Sequence, residues 1–163
     1  VLRFWGGDAA RLERFGVKVV TLDYASDFEG VKRNIDVAAA AIGRNAAGRA
    51  LISEIDRRLA ALAARGHSGV TALYLTPGGV TAGKATMIDA ILNAAGVRNE
   101  AAERGLSYWP PLSAEAVVAD PPDFIVAGFF SSGAERINHW SAARHPVLQA
   151  ILAERPGVAP TAD

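Results

Sequence analysis

The chain has 163 residues, half of them hydrophobic, so it can bury the core of one domain or of two small lobes. Lysine plus arginine and aspartate plus glutamate both number 17, and this balance gives no electrostatic reason to bind nucleic acid or an anionic membrane surface. The chain has no cysteine, which excludes disulfides and thiolate metal sites, and it has no run of about 18 apolar residues of the kind that predicts a membrane span.

The first 43 residues predict strands and helices in alternation. In chain order the predicted elements are a strand at Val1–Trp5, a helix at Asp8–Phe15, a strand at Val17–Leu22 and a helix that ends at Ile42. Ser26 and Glu29 have the spacing of a capping box, so Ser26 is the expected N-cap of the second helix. Gly43 is expected to end that helix.

A longer helix is predicted over residues 46–65, with Asn45 as its N-cap and Gly66 at its end. Its apolar stripe is formed by Ile52, Ile55, Leu59 and Leu62. Glu54 and Arg58 are spaced to form an ion pair on the solvent face. Such a helix is a rod of roughly 30 Å. It is either an ordinary crossover helix or a rigid connector between two lobes.

The rest of the chain continues the alternation of strands and helices. The predicted elements are a strand at Val70–Thr76, a glycine-rich loop, a helix at Lys84–Ala95, a loop at Gly105–Pro111, a helix at Ser113–Ala119, a fully buried strand at Phe124–Phe130, and helices at Gly133–Ala143 and Pro146–Glu154. Ser113 is the expected N-cap of its helix. This alternation predicts an α/β fold with a parallel sheet.

The glycine-rich loop between the strand and the helix is one residue short of a phosphate-binding P-loop. Ala85 stands where a hydroxyl would bind magnesium, and Asp123 begins its strand rather than ending it, so neither supports a magnesium site. A P-loop nucleotide hydrolase that uses Gly78–Lys84 is therefore the alternative hypothesis. The loop is still a natural ligand site, because ligands bind at the carboxyl ends of parallel strands. Its N–H groups and the following helix N-terminus favour an anionic or polar group.

Aromatic residues follow the predicted strands or lie in the proline-rich loop. Trp5, Tyr24 and Phe130 lie at or just after the ends of strands, and Tyr108 and Trp109 lie in the loop. In a parallel sheet these positions share one rim, where aromatic side chains can face a ligand. For Trp5 and Trp109 a role in the core is equally open.

Metal binding and nucleophilic catalysis have little support in the sequence. Glu135 and His139 share a helix face, but no third ligand falls at a recognisable spacing. Ser131-Ser132-Gly133 follows a strand without forming the Gly-x-Ser-x-Gly elbow of hydrolases. We therefore expect no catalytic residue, no metal site and no cofactor.

Several short motifs occur together in a fixed order along nearly the whole chain. They are Trp5-Gly6-Gly7-Asp8-Ala9, Gly16-Val17-Lys18-Val19, Thr81-Ala82-Gly83-Lys84 with Met87-Ile88, Ala95-Gly96 and Asn99, Leu112-Ser113-Ala114-Glu115, Asp120-Pro121-Pro122-Asp123-Phe124-Ile125-Val126, and His145-Pro146-Val147-Leu148. In these motifs the chain resembles periplasmic substrate-binding proteins of the single-helix-linker class. That family serves ABC importers of vitamin B12, ferric siderophores and haem.

The resemblance implies two Rossmann-like lobes joined by one long helix. Residues 1–43 would be the C-terminal remnant of the first lobe, 44–66 the linker helix and 67–163 the second lobe, so that most of the first lobe is missing from this chain. We expect such a fragment to expose a strand edge through which it can self-associate.

The resemblance also implies a periplasmic binding protein rather than an enzyme. It would capture an iron–siderophore or a related chelate, cobalamin or haem, between its lobes and deliver it to an ABC permease. The implied ligand contacts are Trp5, Gly6, Gly7 and Tyr24 in the first lobe, and Gly79, Thr81, Lys84, Tyr108, Trp109 and Phe130 in the second. The P-loop hydrolase remains the alternative, and an α/β interaction module without a transport role is a third hypothesis.

Overall fold

The computed structural model describes residues 2–3, 9–76 and 78–127. The chain divides into two compact units, Val1–Ala64 and Arg65–Asp163, called here the first and the second unit. The expected ligand residues Trp5, Gly6, Gly7 and Phe130 and the two predicted C-terminal helices lie outside the described residues. No helix in the described ranges is both long enough and apolar enough to cross a membrane.

The first unit alternates strands and helices as predicted and ends in two long helices. Its elements are β1 (Leu2–Arg3), α1 (Ala9–Arg14), β2 (Val20–Thr21), α2 (Phe28–Ala41) and α3 (Asn45–Ala63). β1 and β2 pair in parallel, with Leu2 opposite Val20. Gly43 has a positive φ of 70° and lies just beyond α2, as its predicted role at the helix end requires.

The predicted N-caps of α2 and α3 are both wrong by one residue. The N-cap of α2 is Asp27 rather than Ser26, and its carboxylate accepts a hydrogen bond of 2.7 Å from the backbone N–H of Gly30. Asn45 is the first helical residue of α3, and Arg44 takes the cap position without a capping side-chain bond. The short turn fixes this start, because the Arg44 N–H donates to the carbonyl oxygen of Ala39 at 2.8 Å.

α2 and α3 pack closely through small residues. Gly48 is buried, and a Cβ added there would lie 2.5 Å from the Cβ of Ala39. Lys32 on α2 also contacts Asp56 on α3, with Nζ and Oδ1 2.7 Å apart. Hydrogen bonds from Lys32 to Asp56 and then Glu29 raise the pKa of Lys32. The predicted apolar stripe of α3 is only half-buried at all four positions, so small-residue contact brings these helices together.

The predicted pair of Glu54 and Arg58 on α3 is confirmed, with Nε and Oε1 2.7 Å apart. Arg57 contacts the same carboxylate through two nitrogens. Hydrogen bonds from Arg57 and Arg58 lower the pKa of Glu54 from 4.5 to about 2. This charged cluster is exposed to solvent, so its ion pairs stabilise the helix only weakly.

The second unit is built around a parallel sheet, which confirms the predicted α/β class. Its elements are β3 (Thr71–Leu75), α4 (Met87–Ala94), β4 (Arg98–Asn99), α5 (Glu100–Glu103), α6 (Ala114–Ala119) and β5 (Phe124–Ala127). The strand order is β4-β3-β5, and both pairings are parallel. β3 is central and buried at every position. The core cluster contains Leu73, Leu75, Ala101, Val117 and Ile125.

The ends of β3 and β5 are joined by polar side chains. The Asp123 carboxylate accepts hydrogen bonds from the N–H and the hydroxyl of Thr71, at 2.8 and 3.0 Å. Asp123 therefore aligns two strands at their N-terminal ends. The predicted full burial of β5 is wrong, because Phe124 and Val126 are 43% and 42% exposed. In the described ranges β5 pairs with β3 alone, so it is an edge strand there.

The helix after the glycine-rich loop begins later than predicted. α4 starts at Met87 rather than Lys84, and its N-cap Thr86 accepts a hydrogen bond of 3.2 Å from the N–H of Asp89. Ser113 is confirmed as the N-cap of α6, since its hydroxyl accepts from the N–H of Ala116.

Candidate functional site

Two loops of the second unit pair through their backbones next to the carboxyl end of β3. We call residues 78–84 and 106–112 the paired loops. Five backbone hydrogen bonds of 2.8–3.0 Å join them. The donors and acceptors, in order, are Thr81 to Pro110, Gly83 to Tyr108, Lys84 to Leu106, Tyr108 to Lys84, and Leu112 to Gly79. The two loops thus form one surface. The exposed side chains of both loops lie on it.

The sequence permits this pairing because Gly83 has no side chain. A Cβ at position 83 would overlap the Leu106 carbonyl group and lie 2.8 Å from the Ser107 nitrogen. Two threonine hydroxyls also hold the first loop through hydrogen bonds to backbone carbonyl oxygens. The Thr81 hydroxyl donates to the carbonyl oxygen of Tyr74 at 2.7 Å, and the Thr86 hydroxyl donates to that of Gly83 at 2.8 Å.

Asn99 connects the first loop to two other elements and is 2% exposed. Its Nδ2 donates to the carbonyl oxygen of Ala82 and to the Asp89 carboxylate, both at 2.9 Å. Its Oδ1 accepts from the N–H of Ala101 at 3.1 Å, which caps α5. One buried side chain therefore fixes the loop, α4 and α5 relative to each other. Sequence reasoning recognised Asn99 only as part of a motif, without this role.

The structure brings together three of the expected ligand residues on the surface of the paired loops. Lys84 is exposed, Tyr108 is 65% exposed and Trp109 is 44% exposed. The Trp109 ring packs edge-on against the Tyr74 ring, with centroids 6.1 Å apart and planes at 75°. Burial raises the pKa of Tyr74, so its phenol stays neutral at physiological pH.

The other expected ligand residues that the structure describes lie elsewhere. Gly79 is buried, with a positive φ of 75° that suits glycine at this turn. Thr81 is fully buried, and its hydroxyl is already bound to Tyr74. Tyr24 lies in the first unit and is 55% exposed. The turn before it is held by Asn34, which exchanges two hydrogen bonds with the backbone of Asp23.

The expectation that loop N–H groups face an anion is wrong for most of the loop. The Gly79 and Val80 N–H groups donate to Thr76, and those of Thr81, Gly83 and Lys84 donate across the paired loops. They are therefore not free to cradle a phosphate. Since α4 also begins after Lys84, the strand–loop–helix geometry of a P-loop is not formed. This geometry does not support the nucleotide hydrolase hypothesis.

Within the described ranges, no group of three or more histidine, aspartate or glutamate side chains is placed to hold a metal ion. The exposed expected ligand residues of the paired loops supply two aromatic rings and one ammonium group. Such a surface can stack on a flat apolar group and attract a negative charge at its edge.

Comparison with known proteins identifies the family. The chain matches the periplasmic binding protein family over residues 3–158, and it belongs to that family. A cobalamin-binding protein of Halobacterium salinarum is 33% identical over 123 residues, which are 72% of this chain and 33% of the relative.

Solved structures give the same fold. The periplasmic heme-binding protein RhuT from Roseiflexus sp. RS-1, in its apo form, is 29% identical with a TM-score of 0.65, over 72% of this chain and 48% of its own. A periplasmic heme-binding protein from Pseudomonas aeruginosa is 26% identical with a TM-score of 0.61, over 93% of this chain and 53% of its own. The chain therefore spans about half the length of these structures and about a third of the curated relative.

Proposed function

We propose that this chain is part of the substrate-binding component of an ABC importer. It would be periplasmic and without enzymatic activity, and it would deliver a metal chelate to its permease partner. The chelate would be an iron–siderophore, haem or cobalamin. Membership of the periplasmic binding protein family supports the class, and the relatives named for cobalamin and heme support the type of ligand.

The observation that carries the proposal is the exposed group of Lys84, Tyr108 and Trp109 on the paired loops. Each aromatic ring that stacks on a ligand contributes about 0.5–1.5 kcal/mol beyond area burial. The Lys84 ammonium suits a carboxylate at the edge of such a ligand. Because most N–H groups of the first loop bond within the protein, side chains rather than backbone would recognise the ligand.

The same proposal assigns roles to the parts of the chain. Residues 1–43 would belong to the first lobe of the binding protein, 44–66 to the linker helix and 67–163 to the second lobe. Within the proposed linker, α3 is one unbroken helix. A single helix between lobes would permit only small lobe motions. The paired loops would form the ligand-binding wall of the second lobe.

The test is ligand binding by the 163-residue chain, measured by tryptophan quenching with hemin, cyanocobalamin and a ferric hydroxamate. Trp109→Ala and Lys84→Ala should each weaken the best-bound probe by more than tenfold, or about 1.4 kcal/mol. Two exposed residues serve as matched controls: Ile91→Ala on α4 and Lys18→Ala in the first unit should leave affinity within twofold. If Trp109→Ala and Lys84→Ala both keep wild-type affinity, the site is wrongly assigned.

The hydrolase alternative is tested with the same protein. We expect neither phosphate release from ATP or GTP nor magnesium-dependent nucleotide binding, because the loop N–H groups are occupied and Ala85 has no hydroxyl. Micromolar, magnesium-dependent nucleotide affinity that is lost in Lys84→Ala would overturn the binding-protein proposal.

A further inference from the structure

Two non-glycine residues of the described ranges have a left-handed backbone, and they are neighbours in space. Ala85 has a φ of 61° and Tyr108 a φ of 60°. The Tyr108 N–H donates to the carbonyl oxygen of Lys84 at 2.8 Å, and Lys84 also pairs with Ser107. Both left-handed residues therefore lie where the paired loops meet.

A left-handed backbone is unfavourable for any residue with a Cβ, because the Cβ crowds the following carbonyl oxygen. Glycine adopts it without this cost, and in the described ranges glycine takes seven other left-handed positions. For a bulky residue such as Tyr108 the conformation is an outlier. Backbone strain of this kind is concentrated at functional sites.

The tyrosine side chain does little for the stability of the fold. Tyr108 is 65% exposed, and in the described part of the chain its hydroxyl makes no hydrogen bond. Its neighbours Lys84 and Trp109 are exposed as well. A glycine at position 108 would keep the backbone pairing and remove the strain, so folding alone does not account for a tyrosine there.

We propose that the aromatic side chain of Tyr108, which the proposed function already places at the ligand, is kept there at the expense of stability in the second unit. The inference rests on the proposed function and adds that stability and binding oppose each other at this residue. A flat, conjugated ligand such as an iron porphyrin fits this surface. Its face would stack on Tyr108 beside Trp109, and its acidic edge would lie near Lys84.

The test compares alanine and glycine at position 108 in the full 163-residue chain. Both variants lack the ring, so their difference in stability isolates the backbone strain. Tyr108→Gly should unfold about 2 °C above Tyr108→Ala in a thermal melt followed by circular dichroism. Ala85→Gly should unfold above wild type for the same reason, because it removes strain next to Lys84 without removing a ring.

Hemin binding gives the second readout. Tyr108→Gly and Tyr108→Ala should each weaken hemin binding about tenfold, although the glycine variant is the more stable of the two. Tyr108→Phe, which keeps the ring, and Ala85→Gly, which keeps the whole surface, should stay within twofold of wild type. Tyr108→Gly would then be more stable than Tyr108→Ala, and both would bind hemin more weakly than wild type. A purely structural tyrosine would not produce this pattern.

Each part of the inference has its own contradicting result. Equal melting temperatures for the glycine and alanine variants would disprove the strain. Wild-type hemin affinity in Tyr108→Ala would disprove the ligand contact, while a loss in Trp109→Ala would still support the proposed function. If wild type binds none of hemin, cyanocobalamin and a ferric hydroxamate, the proposed function fails and the role of Tyr108 fails with it.

Discussion

The exchange of Gly83 for alanine tests whether the two loops pair as closely as the structure places them. The added Cβ would overlap the carbonyl group of Leu106 and lie 2.8 Å from the nitrogen of Ser107. These are backbone atoms, which cannot rotate away as the end of a flexible side chain can. The loops must therefore separate to admit one methyl group.

The magnitude follows from the bonds that such a separation breaks. The Gly83 N–H donates to Tyr108 at 2.8 Å, and the Lys84 N–H donates to Leu106 at 2.9 Å. Two backbone hydrogen bonds contribute about 2 kcal/mol. Overpacking adds about 1 kcal/mol or more. We expect the free energy of unfolding of the second unit to fall by about 3 kcal/mol, which lowers the melting temperature of a unit of this size by roughly 12–24 °C.

Urea denaturation followed by circular dichroism measures this loss. Gly78→Ala is the matched control, because its added Cβ meets nothing within 4 Å and the same loop carries it. That control should change stability by no more than about 0.5 kcal/mol. Equal stability of Gly83→Ala and Gly78→Ala would refute the close pairing and with it the surface that presents Tyr108.

Three further predictions address the framework around the site. Gly48→Ala should destabilise the first unit by about 1–3 kcal/mol in urea, since it forces α2 and α3 apart. Asn99→Asp should destabilise the second unit by about 2 kcal/mol or more at pH 7, because it places a second carboxylate against Asp89. The pKa of Glu54 is lowered, first by its hydrogen bond to Arg57, from 4.5 to about 2. Its stabilising effect should therefore be present above pH 4.5, decrease below it and be lost as the pH falls through 2, as an NMR titration and Glu54→Gln would detect.

Each of these predictions can fail clearly. A fully stable Gly48→Ala would mean that the two helices are further apart than the structure places them. An Asn99→Asp variant as stable as wild type at pH 7 would show that the hydrogen bonds from Asn99 to Ala82 and Asp89 do not hold the loop and α4. A Glu54 carboxyl that titrates near pH 4.5 would show that its ion pairs do not persist in solution.

Local patterns in the sequence were enough to predict the main elements of the fold. Alternating strands and helices predicted the α/β class, and Ser113 was correctly chosen as a cap. The caps Ser26 and Asn45 were wrong, because neighbouring residues compete for a cap and the turn geometry decides between them. β4 and α5 were not predicted, since elements of two and four residues are too short to show a period.

The candidate site was less predictable, because its geometry depends on residues far apart in the chain. The sequence pointed to Lys84, Tyr108 and Trp109, and the structure places all three on one exposed surface. It gave no sign that the loop N–H groups would be used by residues 106–110. The role of Asn99 was equally hidden, since its partners come from a loop, a helix and a following turn.

The pairing of the loops divides the proposed site into two sets of residues with different tasks. Gly83 and Asn99 lie against other parts of the protein, and a change at either one disturbs the backbone on which the surface is built. Lys84, Tyr108 and Trp109 have exposed side chains on that backbone, and the loop pairing does not depend on those side chains, because the five bonds that join the loops are backbone bonds. Ligand preference at this wall should therefore change by exchange of these three side chains without a change of fold. A loop that binds through its own N–H groups could not be retuned in this way, because every residue type except proline presents the same N–H group.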